Sequence, residues 1–166
     1  MTVVPECGLC KASPMRIGIM GGTGPAGSGL ALRMSVAGHQ VLIGSRSKER
    51  SEEKVAELIA QWPDHNLKIE TGTNEDAAHC DLIVVATPWD STATIVGEYA
   101  EVLRGKVVVT MANALVKVGK EFQPLVPPRG SIAAHVQAEI PESRVVAAMQ
   151  HLPAKELGNL NHHVDS

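Results

Sequence analysis

The chain has 166 residues, 44% of them hydrophobic and 20% charged, with a net charge of -3. That length suits one folded domain with a proper core, and the charge offers no general attraction to nucleic acid or to an anionic membrane. Aromatic residues make up only 2%, too few to stack single-stranded nucleic acid. No apolar run approaches bilayer length, and the stretch Met1 to Pro14 has neither a basic start nor an apolar core, so the protein is expected to be cytoplasmic.

In chain order, residues 1–14 show no periodicity and are expected to form a flexible tail. Cys7 and Cys10 form a single CxxC in that tail; with Cys80 they are an odd, scattered set that makes no disulfide framework, and no metal site is assigned to them. From Met15 onward, apolar strand-like runs alternate with helical patterns. Strands are expected at 16–20, 40–44, 67–71, 82–86, 106–110 and 144–148. Pro25 marks a first helix ending at Gly38, Ser51 to Gln61 a second, Thr73 with Asp76 caps a third, and Asp90-Ser91 caps a fourth through Leu103.

This alternation predicts an α/β fold with a doubly wound parallel sheet in the order 3-2-1-4-5-6. The third strand alternates apolar and polar residues (Leu67-Lys68-Ile69-Glu70) and belongs at an edge, while Ile83-Val84-Val85 and Val107-Val108-Val109 read as central strands covered on both faces. The domain is expected to span 15–156, with 157–166 as a C-terminal tail. His162-His163, with only Asp165 nearby, makes no metal site, and His135 reads as a helix-face residue.

Directly after the first strand comes Gly21-Gly22-Thr23-Gly24-Pro25-Ala26-Gly27, which contains Gly22-x-Gly24-x-x-Gly27 at the mouth of a helix. In that context the glycines predict a dinucleotide site: Gly22 for the tight turn, Gly24 for close approach of backbone to a pyrophosphate, Gly27 for helix–strand packing. Free N–H groups and the helix dipole favour the diphosphate there. The second strand then ends Gly44-Ser45-Arg46-Ser47-Lys48-Glu49-Arg50, with no carboxylate at Ser45 or Arg46 to take a ribose 2′-hydroxyl. A hydroxyl at Ser45 and guanidinium groups at Arg46 and Arg50 suit a 2′-phosphate instead, so the expected cofactor is NADP(H).

The ends of the fourth and fifth strands, Ala86-Thr87-Pro88-Trp89-Asp90 and Thr110-Met111-Ala112-Asn113-Ala114-Leu115, lie at the carboxyl edge of the sheet. With the opening Met15 to Gly24, the helix Gly29-Leu30-Ala31-Leu32-Arg33, the Gly44-Ser45-Arg46 turn and the run Val145 to Ala154, they resemble the F420-dependent NADP reductases over about Met15 to Leu160.

The resemblance implies an oxidoreductase in which hydride passes directly between NADP(H) and the deazaflavin coenzyme F420, with no catalytic acid or base. It puts Thr23, Gly24, Pro25 and Ala26 on the pyrophosphate, Ser45, Arg46 and Arg50 on the 2′-phosphate, and Thr87, Pro88, Trp89, Asn113 and Ala154 near the nicotinamide or deazaflavin. This chain has Gln150-His151 where the family often has a His pair, Asn113-Ala114-Leu115 where relatives read Asn-Pro-Leu, and ends at Ser166 without the family's C-terminal strands and helices. The sixth strand is therefore expected to expose an apolar edge, through which the chain forms a homodimer or is prone to aggregate. Two other functions fit the same residues: an NADP(H)-binding module or sensor without turnover, and an NADPH-dependent reductase of a small imine or carbonyl compound.

Overall fold

A computed structural model describes residues 13–162; Cys7, Cys10, His163 and Asp165 lie outside them. The first half runs β1 (Arg16–Met20), α1 (Pro25–Val36), β2 (Gln40–Ser45), α2 (Lys48–Gln61), β3 (Ile69–Thr73), α3 (Asn74–Ala78) and β4 (Leu82–Val85). There follow α4 (Trp89–Gly97), α5 (Ala100–Leu103), β5 (Val107–Thr110), β6 (Leu115–Val118) and β7 (Glu121–Pro124). The described chain closes with α6 (Ile132–Glu139), β8 (Arg144–Ala147) and α7 (Ala154–Leu157).

Six parallel strands pair in the order β3-β2-β1-β4-β5-β8. The expected order 3-2-1-4-5-6 is therefore present, with β8 as its sixth strand because an antiparallel hairpin, β6 with β7, intervenes. The sequence pattern does not announce this hairpin. Its turn is built on Gly119 at φ +63, the positive φ that a two-residue hairpin loop demands. Smaller differences lie at element ends: β3 starts at Ile69 rather than 67, and α4 starts at Trp89 behind Pro88 without a side-chain cap from Asp90 or Ser91.

Residues of alternate parity on each strand feed two separate cores. Ile17, Ile19, Val41, Ile43, Val84 and Val109 pack with Leu30 and Leu32 of α1, Val55 and Leu58 of α2, and Leu157 of α7. On the opposite face Met20, Leu42, Ile83, Val85 and Val108 meet Ala77 of α3, Val96 of α4, Leu103 of α5 and Val136 of α6. Helices on both faces make the sheet doubly wound, and the edge strand β3 carries the exposed ion pair Glu70 to Arg16 at 2.7 Å. At the other edge β8 leaves Val146 exposed. No helix among the described residues is long and apolar enough to cross a membrane.

Two local fastenings, one on each face of the sheet, hold short helices in place. Thr73 and Asp76 close a capping box on α3: the Asp76 N–H donates to Thr73 Oγ1 at 3.2 Å, and the Thr73 N–H donates to Asp76 Oδ2 at 2.8 Å. That backbone hydrogen bond, then the one from the Thr73 hydroxyl, holds the Asp76 carboxyl below its ordinary range, so the cap persists until pH falls through that lowered value.

On the other face, Arg33 donates from Nε to the carbonyl of Leu157 at 3.1 Å and from Nη2 to those of Glu156, Asn159 and His162 at 2.8, 2.6 and 2.8 Å. The folded body thus runs through α7 and past the boundary expected at residue 156.

Helix α3 lies unusually close to the sheet because β1 has Gly18 beneath it: a Cβ there would sit 2.0 Å from the carbonyl oxygen of Ala77. Gly18→Ala must therefore displace α3. We expect it to cost about 3 kcal/mol and to lower Tm by roughly 6–12 °C in thermal denaturation; an unchanged Tm would show that α3 does not depend on this contact.

Candidate functional site

The turn after β1 is built by backbone rather than by side chains. Gly21, not Gly22, takes the left-handed conformation, at φ +68. Gly22 is required for a different reason, since a Cβ there would lie 2.8 Å from the carbonyl oxygen of Ile19. A Cβ on Gly27 would lie 2.7 Å from Gly22 Cα, which is the close packing of α1 on the turn that the motif predicts. Gly24 differs from both. A Cβ there would meet only the Gly21 carbonyl oxygen, at 3.7 Å, so this glycine faces open space where another molecule's atoms can approach the main chain.

The amides of this turn fall into two sets, some bonded within the protein and some free. The Gly21 N–H donates to Asn74 Oδ1 at 3.0 Å, the Gly22 N–H to the Gly44 carbonyl at 2.9 Å, and the Gly24 N–H to the Gly21 carbonyl at 3.4 Å. Pro25, at the first turn of α1, has no N–H, and the helix ladder begins with Ser28 N–H to the Gly24 carbonyl at 2.9 Å. Among the described residues the N–H groups of Thr23, Ala26 and Gly27 have no backbone or side-chain acceptor. Three free donors at the positive end of a twelve-residue helix, beside an open Gly24, fit a pyrophosphate.

The second candidate group lies at the end of β2. Ser45 is buried and Arg46 is exposed, and both line a cavity of about 430 Å³ with Thr73, Asn74, Glu75, Ile95, Glu98 and Tyr99. Arg50, in the first turn of α2, is exposed and does not line this cavity. Lys48 lines a separate one with Arg16, Glu70 and Asp76. The sequence motifs thus converge on Ser45 and Arg46, while Ile95, Tyr99 and Asn74 form walls that no motif marks.

At the end of β4, Thr87 is nine-tenths buried. Its hydroxyl is 2.8 Å from that of Thr92, which itself donates to the carbonyl of Pro88 at 2.8 Å. A side chain on Gly21 would strike the Thr87 methyl, at 2.6 Å, so this turn and the glycine turn are in contact. Pro88 is exposed. Trp89 is half-buried against the core, and its Nε1–H donates to the carbonyl of Leu115 at 3.1 Å, tying the hairpin to the start of α4.

Asn113, after β5, is exposed and lines a cavity of about 200 Å³ with Ala112, Ser131, Ala147 and Gln150. Ala154 lies elsewhere, in a cavity of about 300 Å³ shared with Thr23, Pro25, Lys54 and Lys155. Of the residues expected at one nicotinamide end, Asn113 and Ala154 therefore line different hollows, and Thr87, Pro88 and Trp89 line neither. Just after β8, Met149 holds φ +64, a strained conformation for a side-chain-bearing residue.

The arrangement matches known proteins across most of its length. Residues 16–114 match the family described as NADP oxidoreductase, coenzyme F420-dependent. The F420-dependent NADP reductase of Methanocaldococcus jannaschii is 37% identical over 156 residues, covering 91% of this chain and 70% of that one. That of Methanothermobacter thermautotrophicus is 33% identical over 102 residues, covering 61% of this chain and 44% of the relative.

Among solved structures, a protein from an Arthrobacter species described as a candidate F420-dependent NADP reductase superposes with a TM-score of 0.67 at 29% identity, covering 85% of this chain and 65% of its own. A hypothetical protein from Sinorhizobium meliloti gives a TM-score of 0.67 at 25% identity, with 88% and 66% covered. The chain thus spans roughly two thirds of those two solved chains. With a glycine turn suited to a diphosphate, a parallel six-stranded sheet in the doubly wound order and a family match over residues 16–114, the chain belongs to the coenzyme F420-dependent NADP oxidoreductases, whose cofactors are NADP(H) and coenzyme F420.

Proposed function

We propose that this chain binds NADP(H) at the glycine turn and exchanges hydride between it and coenzyme F420. The observation that carries the reading is the set of free N–H groups of Thr23, Ala26 and Gly27 at the head of α1, within the same sheet edge as the Ser45–Arg46 cavity. In this reading Gly22, Thr23, Gly24, Pro25, Ala26 and Gly27 hold the pyrophosphate. Ser45 and Arg46 hold the adenosine 2′-phosphate, with Arg50 adding charge from the first turn of α2. Thr87, Pro88, Trp89, Asn113 and Ala154 shape the nicotinamide end, and the nucleotide-binding domain runs from residue 15 through α7 to the His162 carbonyl that Arg33 holds.

When both cofactors are bound, the transferable hydride and the rings that carry it belong to the cofactors themselves. The chain's part is positioning: backbone donors fix the diphosphate, Arg46 fixes the phosphomonoester, and the Thr87–Thr92 hydroxyl pair holds the Pro88–Trp89 turn in place. No side chain is required to move a proton. One observation favours a second reading, an NADP(H)-binding module without turnover: the hollow at Asn113, about 200 Å³, is below the range of roughly 300–1,000 Å³ usual for small-molecule pockets.

Three measurements test these readings. Arg46→Ala should weaken NADPH binding about tenfold to hundredfold, the worth of one charge-assisted hydrogen bond, and NADH binding little; equal losses would remove Arg46 from the 2′-phosphate. Mixing the protein with NADPH and oxidised F420 should bleach the visible absorbance of F420, whereas tight NADPH binding with no bleaching would leave the binding-module reading standing. Because β8 has no further strand beside it among the described residues and leaves Val146 exposed, we also propose a homodimer formed through it; sedimentation showing only monomer at high concentration would count against that contact.

A further inference from the structure

The side chain of Asn74 stands between the two halves of the proposed nucleotide site, and each end of its amide has a different task. It is 5% exposed, at the first position of α3, where Gly18 beneath Ala77 lets the helix sit against β1. The Gly21 N–H is a donor, so the amide atom 3.0 Å from it must be the oxygen. That fixes the orientation of the whole group. Nδ2, with two N–H bonds, makes no hydrogen bond within the protein among the described residues, and the residue walls the cavity lined by Ser45 and Arg46.

We infer that Asn74 is a positioning and specificity residue: Oδ1 sets the glycine turn for the pyrophosphate while Nδ2 donates to the adenosine 2′-phosphate beside Ser45 and Arg46. This rests on the NADP(H) reading above and adds to it the residue that joins its two phosphate subsites. The chemistry is that of a dianionic phosphomonoester in a cavity that also has Glu75 and Glu98 on its walls. Glu75 and Glu98 oppose such a dianion, so its binding there rests on Arg46 and on neutral donors such as the Ser45 hydroxyl and Asn74 Nδ2. Because one planar group serves both ends, the turn cannot shift at Gly21 without moving the donor at the adenosine end.

Asn74→Asp keeps an acceptor for the Gly21 N–H and replaces the donor with an anionic oxygen. It should weaken NADPH about tenfold to hundredfold while NADH stays within about threefold of wild type and Tm is unchanged. Asn74→Ala removes the acceptor as well, so NADPH and NADH should weaken together. A measurement on the unaltered protein stands beside these: adenosine 2′,5′-bisphosphate should shift the Asn74 side-chain NH₂ resonances, and 5′-AMP should leave them in place.

If Asn74→Asp weakens both nucleotides equally or neither, or if both adenosine ligands shift the NH₂ signals alike, the inference is wrong while the NADP(H) reading stands. A wild-type protein that does not prefer NADPH over NADH would overturn both.

Discussion

The near-contact between the Ala77 carbonyl and the bare Cα of Gly18 is the constraint on which the ligand edge depends. A residue with a side chain in the middle of β1 would hold α3 off the sheet by the width of a methyl group. With Gly18 in that position, and with Gly44 on the neighbouring strand also close to Ala77, the short helix settles across β1 and β2. Its first residue then reaches the turn that β1 runs into. Packing in the interior thereby determines hydrogen bonding at the surface, because the Gly21 amide finds its acceptor only where α3 lies this low.

The turn after β1 divides its amides into those bound within the protein and those left free, in a way that explains the glycine spacing. Those of Gly21, Gly22 and Gly24 are bound internally and hold the turn's shape, while those of Thr23, Ala26 and Gly27 point away from protein acceptors. Proline at the first helical position costs no donor, since a helix leaves its first N–H groups unsatisfied in any case. The rigid half and the receptive half of the motif are interleaved residue by residue. Such a turn need not rearrange when an anion arrives, and little ordering cost is left to set against binding.

What residues alone reveal of this fold depends on which signals are local. The six parallel strands are legible because Val- and Ile-rich runs separated by helical patterns have few other solutions, and the capping box on α3 is legible because Thr73 and Asp76 are three residues apart. The β6–β7 hairpin is not. Its strands are four residues each, exposed on both faces and mixed with lysine and glutamate, so no core-facing alternation marks them.

The candidate residues that a motif marks, Ser45 and Arg46, do share a cavity. Asn74 escapes because its partner, Gly21, is 53 residues away in sequence and nothing in the string Thr73-Asn74-Glu75-Asp76 announces that contact. The glycine motif also places the tight turn at Gly22, one position later than the left-handed residue, since consecutive glycines look alike until the fold decides which one turns.

Arg33 gives α7 a fastening of a particular kind. Four main-chain carbonyls converge on one guanidinium, whose planar fork fixes the direction of its donors. The neighbouring contact, Glu156 with His162 at 2.7 Å, is an ion pair only while the imidazole is protonated. The wall that Ala154 and Lys155 give to the hollow beside Thr23 and Pro25 is thus pinned through main-chain carbonyls, which any side chain at 156, 157, 159 or 162 would still present.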